Sequence, residues 1–338
     1  MDRITLALQG GGAHGAFTWG VLDRLLDDPS IEIAAVSGTS AGGLNAAALA
    51  AGLDTNGREG AKAGLHRLWE TVAARSPLGA IENSLPFFPF PRAVVHRAIE
   101  QAQNFNQFLS PYSPALPSAN ALRRVVEEAI DLPRLQAQTL VPCFVSATDV
   151  EAGSVRVFSG RELTADALLA SACLPDLFRA VEIDGRHYWD GGYLGNPVLT
   201  PLFNEDRGTA DLLIVQVTPF ARPGVPDTAE EIMARVNEIT FNTSLMRDLR
   251  MLTEVKRLVR GEDLDNPVMR RIADLRLHMI SAGEELTRRG AVGKLDTRWS
   301  ELETLRDLGR TATDRWLDRH RRDIGHRSSL AFEVEAIV

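Results

Sequence analysis

Six residues, Gly10-Gly11-Gly12-Ala13-His14-Gly15, separate an apolar run, Ile4 to Leu8, from a run of helical periodicity, Ala16 to Leu26. Glycines at such a junction leave backbone N–H groups uncovered where a buried strand turns straight into a helix, and this restricts the chain to a few α/β arrangements. Ala34 to Val36 reads as a second strand, and the small residues after it, through Leu53, as a second helix. A β-α-β-α opening predicts a parallel sheet covered by helices. Leu140 to Ala147 and Val155 to Phe158 read as further strands joined by the turn Glu151-Ala152-Gly153-Ser154. Leu212 to Val217 reads as another, closed by Pro219.

The second strand ends in Gly38-Thr39-Ser40-Ala41-Gly42. A GxSxG match between a strand and a helix of small residues is the setting of a nucleophile elbow, a turn so tight that Gly38 and Gly42 leave room for the neighbouring backbone. An acyl transfer also needs donors for the oxyanion of its tetrahedral intermediate, and the amides of Gly10, Gly11 and Gly12 at a helix N-terminus suit that role. The same glycines satisfy the dinucleotide fingerprint through Gly10, Gly12 and Gly15, with Glu32 near the spacing of a ribose-binding acid. Taken alone they favour that rival, a nucleotide-binding oxidoreductase. Joined to the elbow they favour an oxyanion hole, since a nucleotide site leaves Gly38 to Gly42 without a role.

A serine nucleophile needs a base. Of seven histidines, only His278, His320 and His326 follow the acid candidates in Ser-Asp-His order, and none lies in a convincing loop. Asp190, in Tyr188-Trp189-Asp190-Gly191-Gly192, follows a short strand, and Gly191 and Gly192 permit close backbone approach. It can meet the serine directly.

These three motifs in this order resemble those of the patatin-like phospholipases over about residues 4–220, with supporting matches at Ala170-Ser171-Ala172-Cys173-Leu174-Pro175 and Asn196-Pro197. The resemblance implies a three-layer α/β/α patatin-like sandwich around a mostly parallel sheet, a Ser40-Asp190 dyad rather than a triad, an oxyanion hole at Gly10 to Gly12, and hydrolysis of lipid carboxylic esters without metal or cofactor. His14 departs from the pattern, in which Arg or Lys is common. A fixed charge beside the loop is thereby lost or becomes pH-dependent. A non-catalytic lipid-binding protein on the same fold is the second function class.

The catalytic domain is expected over residues 1–224 and a mainly helical extension, packed on the core, over 225–338. In the extension Thr228-Ala229-Glu230-Glu231 fits a capping box for a helix to about Val259, Arg276 to Ile280 reads as a late strand, and a final long helix follows Asp296. Residues 77–117 hold 7 of the 17 prolines with Phe87, Phe88, Phe90, Phe105, Phe108 and Tyr112, an irregular excursion that is either a lid or packing against the main domain. Net charge of -8 argues against nucleic acid as a partner. The basic residues crowded between Arg247 and Arg327 share that stretch with acids and read as a salt-bridged surface. The expected partner is a lipid or other acyl ester, with peripheral membrane contact at most. The two cysteines, Cys143 and Cys173, lie in apolar runs and read as buried thiols of a reducing compartment. With no leader-like segment at the N-terminus, the expected location is cytoplasmic.

Overall fold

The computed structural model describes residues 1–76, 112, 120–137, 140–290 and 292–330. The excursion expected at 77–117 lies outside these residues except for Tyr112.

Strand β1 (Asp2–Leu8) leads through the glycines and a 3-10 turn, Gly12–His14, into α1 (Gly15–Asp27). Strand β2 (Ile31–Thr39) follows and ends at the elbow that opens α2 (Ala41–Arg75). β2 is longer than its apolar centre suggests, because Ile31 to Ile33 pair with Asp2 to Ile4 of β1. α2 also runs far beyond Leu53, broken only at Asn56 and Gly57, where Gly57 has φ +55°. Next come α3 (Asn120–Ala129), α4 (Leu132–Ala137), β3 (Cys143–Asp149), β4 (Ser154–Ser159) and α5 (Ala165–Ser171). The hairpin β5 (Val181–Ile183) and β6 (Arg186–Asp190) precedes β7 (Asp211–Gln216). The last elements are α6 (Ala229–Leu258), α7 (Pro267–Asp274), β8 (Arg276–Ser281), α8 (Glu284–Arg289) and α9 (Trp299–His320). The capping box forms: Thr228 Oγ1 accepts from the Glu231 N–H at 3.2 Å, and the Glu231 carboxylate interacts with the N–H groups of Asp227 and Thr228.

The sheet order is β5-β6-β3-β2-β1-β7-β8, with β4 pairing to β3 off this path. Neighbours among β1, β2, β3, β7 and β8 run parallel, while β4 and β6 run antiparallel to β3. The period-2 alternation of a strand sorts the side chains onto two faces. Leu6, Leu8, Val36, Val145, Leu213 and Val215 join one apolar cluster with residues of α1, α2, α3 and α9. Ala7, Ala35, Leu212 and Ile214 join another with Leu245, Leu249 and Leu252 of α6. The mixed α/β sandwich expected from the sequence is the fold observed.

The region after residue 224 is woven into this sandwich. It supplies a helix to each face, α6 and α9, and the edge strand β8. Close contact of α9 with α1 depends on two glycines: a Cβ at Gly20 would lie 1.9 Å from the Arg306 carbonyl oxygen, and one at Gly309 would lie 2.1 Å from that of Phe17. Arg310 adds ion pairs to Asp23 and Asp27 of α1. Cys143 and Cys173 are buried, and neither is in a disulfide.

Candidate active site

Each strand that carries the site ends at the same edge of the sheet. Thr39 pairs with Ser146 of β3, whose next residue, Ala147, pairs with Asp190, so β2 and β6 deliver Ser40 and Asp190 side by side. Ser40 has φ +54° and ψ -127°, a conformation a non-glycine residue adopts only under constraint. The constraint is close contact around it. A Cβ at Gly38 would lie 2.3 Å from the Gly42 carbonyl oxygen, and one at Gly42 would lie 2.2 Å from that of Leu8. Ser40 N–H donates to Ser171 Oγ at 2.9 Å. Thr39 Oγ1 bonds the Gly195 carbonyl at 2.7 Å and Ser146 Oγ at 2.5 Å, locking the turn to the loop after Asp190.

Asp190 is fully buried. Its N–H donates to the Cys173 carbonyl at 2.7 Å, Thr148 Oγ1 donates to its carbonyl at 2.8 Å, and its Oδ1 accepts from the Gly192 N–H at 2.7 Å. Oδ2 is buried and accepts no hydrogen bond of ordinary geometry. The Ser40 hydroxyl is nevertheless close enough to act on the carboxylate. Burial pushes the Asp190 pKa up to about 7, against the opposing effects of the Gly192 N–H and the Ser40 hydroxyl. Desolvation therefore dominates. Burial also raises the Cys173 thiol, to about 12, with Asp190 adding to the effect.

The glycine loop lies against this pair. A Cβ at Gly10 would stand 2.8 Å from the Cβ of Ser40. One expectation requires correction here: the Gly10 N–H donates to the buried Asn196 Oδ1 at 2.7 Å, so it is engaged and not available to an oxyanion. Among the described residues the Gly11 and Gly12 N–H groups have no hydrogen-bond partner. Gly12 has φ +59°, and Gly15 abuts Ala41, where a Cβ would come within 2.7 Å of that residue's own. His14 is buried with Nε2 unbonded, and its pKa falls to about 3 through burial first and then the charges of Lys294 and Arg289. Of the two outcomes expected at this position, loss of the charge holds: the ring is neutral at any ordinary pH.

Several contributors have no motif of their own. Gln9 Oε1 accepts from the Val217 and Thr218 N–H groups at 2.9 and 2.8 Å, and its Nε2 donates to Asn242 Oδ1 at 2.8 Å. Asn196 also donates to the Phe241 carbonyl at 3.1 Å, tying the loop to α6. Phe241 itself lies over Gly192, where a Cβ would be 2.3 Å from its ring, and stacks on Tyr193 at 5.0 Å between centroids. The roles of Ser171 and Asn196 were foreshadowed only by their place in supporting motifs. Those of Gln9 and Phe241 carry no sequence signal.

The histidine expected to be unconvincing lies elsewhere. His278 is on β8, and its Nε2 contacts Asp211 Oδ1 at 2.9 Å at the opposite edge of the sheet, where β7 and β8 begin. Glu32, the acid considered for a ribose, lies near the start of β2 and pairs with Arg3 at 3.1 Å. A ribose-binding acid belongs beyond the carboxyl end of that strand, so the nucleotide reading loses its second element. A cleft of about 700 Å³ is lined by α6, α7 and the segment between them, with Lys256, Arg260 and Arg270 among its residues, and shares no residue with the Ser40 region. Among the described residues no group of three or more His, Cys, Asp or Glu side chains is disposed to hold a metal ion.

A profile of the family described as patatin-like phospholipase matches residues 6–203, which takes in β1, the glycine loop, the elbow and the Asp190 turn. The chain belongs to that family. Membership implies lipid acyl hydrolysis as the general activity. Among solved structures, VipD from Legionella pneumophila is similar at 15% identity, over 90% of this chain and 67% of that one, with a TM-score of 0.35. The ExoU-SpcU complex of the type III secretion system of Pseudomonas aeruginosa is similar at 17% identity, over 96% and 76%, with a TM-score of 0.31. No curated protein matches the sequence. In patatin-like terms the region after residue 203 lies beyond the matched profile, yet α6 from that region roofs the Asp190 turn.

Proposed function

We propose that this protein is a serine acyl hydrolase that cleaves carboxylic-ester bonds of lipids through a Ser40-Asp190 dyad. The observation that carries the reading is the fully buried Asp190 carboxylate, which interacts with the hydroxyl of a serine held in a strained turn and whose Oδ2 accepts no hydrogen bond of ordinary geometry among the described residues. With its pKa near neutrality the carboxylate is poised to act as general base.

In the first half-reaction Asp190 takes the proton of Ser40, and Oγ attacks the acyl carbonyl carbon. The Gly11 and Gly12 N–H groups donate to the oxyanion, helped by the positive end of α1. Collapse breaks the ester C–O bond, and the departing alcohol takes the proton from Asp190. Water then attacks the acyl-enzyme, giving a proton to Asp190; collapse breaks the acyl–Oγ bond, Asp190 returns the proton to Ser40 Oγ, and the free acid departs. No metal or cofactor enters these steps.

Lipid access is proposed along α6. In the first half of α6 the inner side carries the buried Glu238 and Asn242, whereas Ile232, Met233, Val236 and Ile239 are exposed on the outer side. This inversion of the usual pattern suits peripheral contact with a lipid surface beside the site. Among the described residues no helix is long and apolar enough to cross a membrane. Buried thiols outside any disulfide support a reducing compartment, and the cytoplasm is the proposed location.

The test is hydrolysis of a panel of neutral and phosphorylated acyl esters by the wild type, Ser40→Ala and Asp190→Asn. Each folded variant is expected to lose on the order of 10³-fold in kcat. Wild-type turnover in either would refute the dyad. A non-catalytic lipid binder on this fold would instead bind the panel without turnover, and an oxidoreductase would bind NAD(H).

A further inference from the structure

The glycine loop is closed on its outer side by a segment far along the chain. A 3-10 turn, Val292–Leu295, follows α8 and packs on the turn Gly12–His14. The fit is interlocked by glycines on both sides. A Cβ at Gly12 would lie 2.4 Å from the Lys294 carbonyl oxygen and 3.5 Å from the Lys294 Cβ, and a Cβ at Gly293 would lie 2.8 Å from His14 Nε2. The Lys294 side chain therefore starts directly over Gly12, whose N–H has no hydrogen-bond partner among the described residues.

The charges in this neighbourhood are unequal in their pairing. Arg289 is bonded to Glu301. Arg222 and Arg235 share Glu238, at 3.2 and 3.1 Å. Lys294 also feels the charge of Glu238, but among the described residues its ammonium makes neither an ion pair nor a hydrogen bond. His14, the ring inside the loop, is neutral. A partly buried cation without a partner is costly, and the cost falls when an anion arrives beside it.

We propose that Lys294, contributed by the region beyond the family-matched residues, is the cation of the glycine loop: it places its positive charge beside the Gly11 and Gly12 amides and is balanced by the oxyanion of the reaction. It acts on the reacting atoms through the loop and is thus a positioning residue. Burial lowers its pKa and Glu238 opposes that shift, which fits a lysine whose full partner is present only during turnover. Because the oxyanion exists only after attack, the charge should raise kcat and leave substrate affinity alone. The catalytic role rests on the Ser40 reading above; the location of the charge does not.

The experiment compares the wild type, Ser40→Ala, Lys294→Met, Lys294→Arg and Lys294→Cys on a neutral p-nitrophenyl alkanoate. Lys294→Met is expected to lose roughly tenfold in kcat at unchanged KM, with a melting temperature at or above that of the wild type. Lys294→Arg is expected to stay within about threefold of the wild type. Treating Lys294→Cys with 2-bromoethylamine, which rebuilds an ammonium on a thioether stem, should restore most of its lost kcat, and iodoacetamide should not. The proposal is overturned by wild-type kcat in Lys294→Met, or by a loss that neither Arg nor the rebuilt ammonium recovers. If Ser40→Ala hydrolyses the ester as fast as the wild type, it is the Ser40 reading that fails. The charge is then read by NMR titration of the His14 ring: its pKa should rise by about half a unit in Lys294→Met, since a nearby cation has been removed. An unmoved His14 overturns the proposal.

Discussion

The Gly10 N–H and the Asn196 side chain, 186 residues apart, form a buried hydrogen bond of 2.7 Å that joins the loop after β1 to the loop after Asp190. Asn196 donates onward to the Phe241 carbonyl and is itself fully buried. It thus fixes three parts of the site at once. Asn196→Ala should leave the buried Gly10 N–H unpaired and remove the tie to the Phe241 carbonyl, at a cost of about 1–3 kcal/mol. The measurements are melting temperature and kcat on the same ester. Both should fall, whereas a change in neither would show that the tether is dispensable.

Asp190 makes activity and stability respond to pH in opposite directions. As a base it must be ionised, so kcat/KM should rise with pH through about 7. Its folded pKa lies above the unfolded carboxylate value. The favourable contribution of the buried neutral acid is therefore complete below about pH 4 and is lost as pH rises through about 7. The loss amounts to a few kcal/mol, because each tenfold change in proton affinity is worth about 1.4 kcal/mol. Asp190→Asn should accordingly match the wild type in stability near pH 4 and exceed it at pH 8, while being inactive at both. Equal stability at pH 8 would contradict the buried-acid account.

His14 has the opposite sign. A folded pKa of about 3 lies below the unfolded value of 6.5, so the neutral ring stabilises the fold above pH 6.5, and that contribution is lost as pH falls toward 3. Replacement of His14 by Gln removes the titration. The variant should show a flatter dependence of melting temperature on pH between 6.5 and 4 than the wild type, measured by calorimetry. The same slope in both proteins would mean that the acid sensitivity arises elsewhere.

The crossing of α1 and α9 gives a prediction about architecture. A side chain at Gly309 would be driven into the Phe17 carbonyl and the Cα of Gly20. Gly309→Val should destabilise the protein by about 3 kcal/mol or more, as overpacking does. Since α9 and β1 share one apolar cluster, unfolding should remain a single transition at a lower temperature. Two resolved transitions would mean that the region after residue 224 is a separate unit.

The framework of this site was legible because each of its parts answers a local demand. Gly38, Gly42 and Gly15 are glycines because backbone or a neighbouring Cβ stands where their own would be, and such demands leave a fixed spacing in the chain. The strand β8 and the long α6 were legible from alternation and from the Thr228 cap. What could not be read was which amide of the loop is already taken, because the Gly10 bond depends on Asn196, whose position follows from the whole fold. The same holds for Gln9, Phe241 and Lys294. Their contacts join segments far apart in the chain or come from a helix with no motif, and hydrophobic periodicity does not encode a single polar contact of that kind.

The most direct test of the central claim is covalent labelling by an alkyl fluorophosphonate, mapped by mass spectrometry on the intact chain and its peptides. The account predicts one adduct, on Ser40, forming faster as pH rises through about 7 and slowed at least about a hundredfold in Asp190→Asn, because the base is gone. No adduct, an adduct on another residue, or equal labelling rates in the wild type and Asp190→Asn would contradict it.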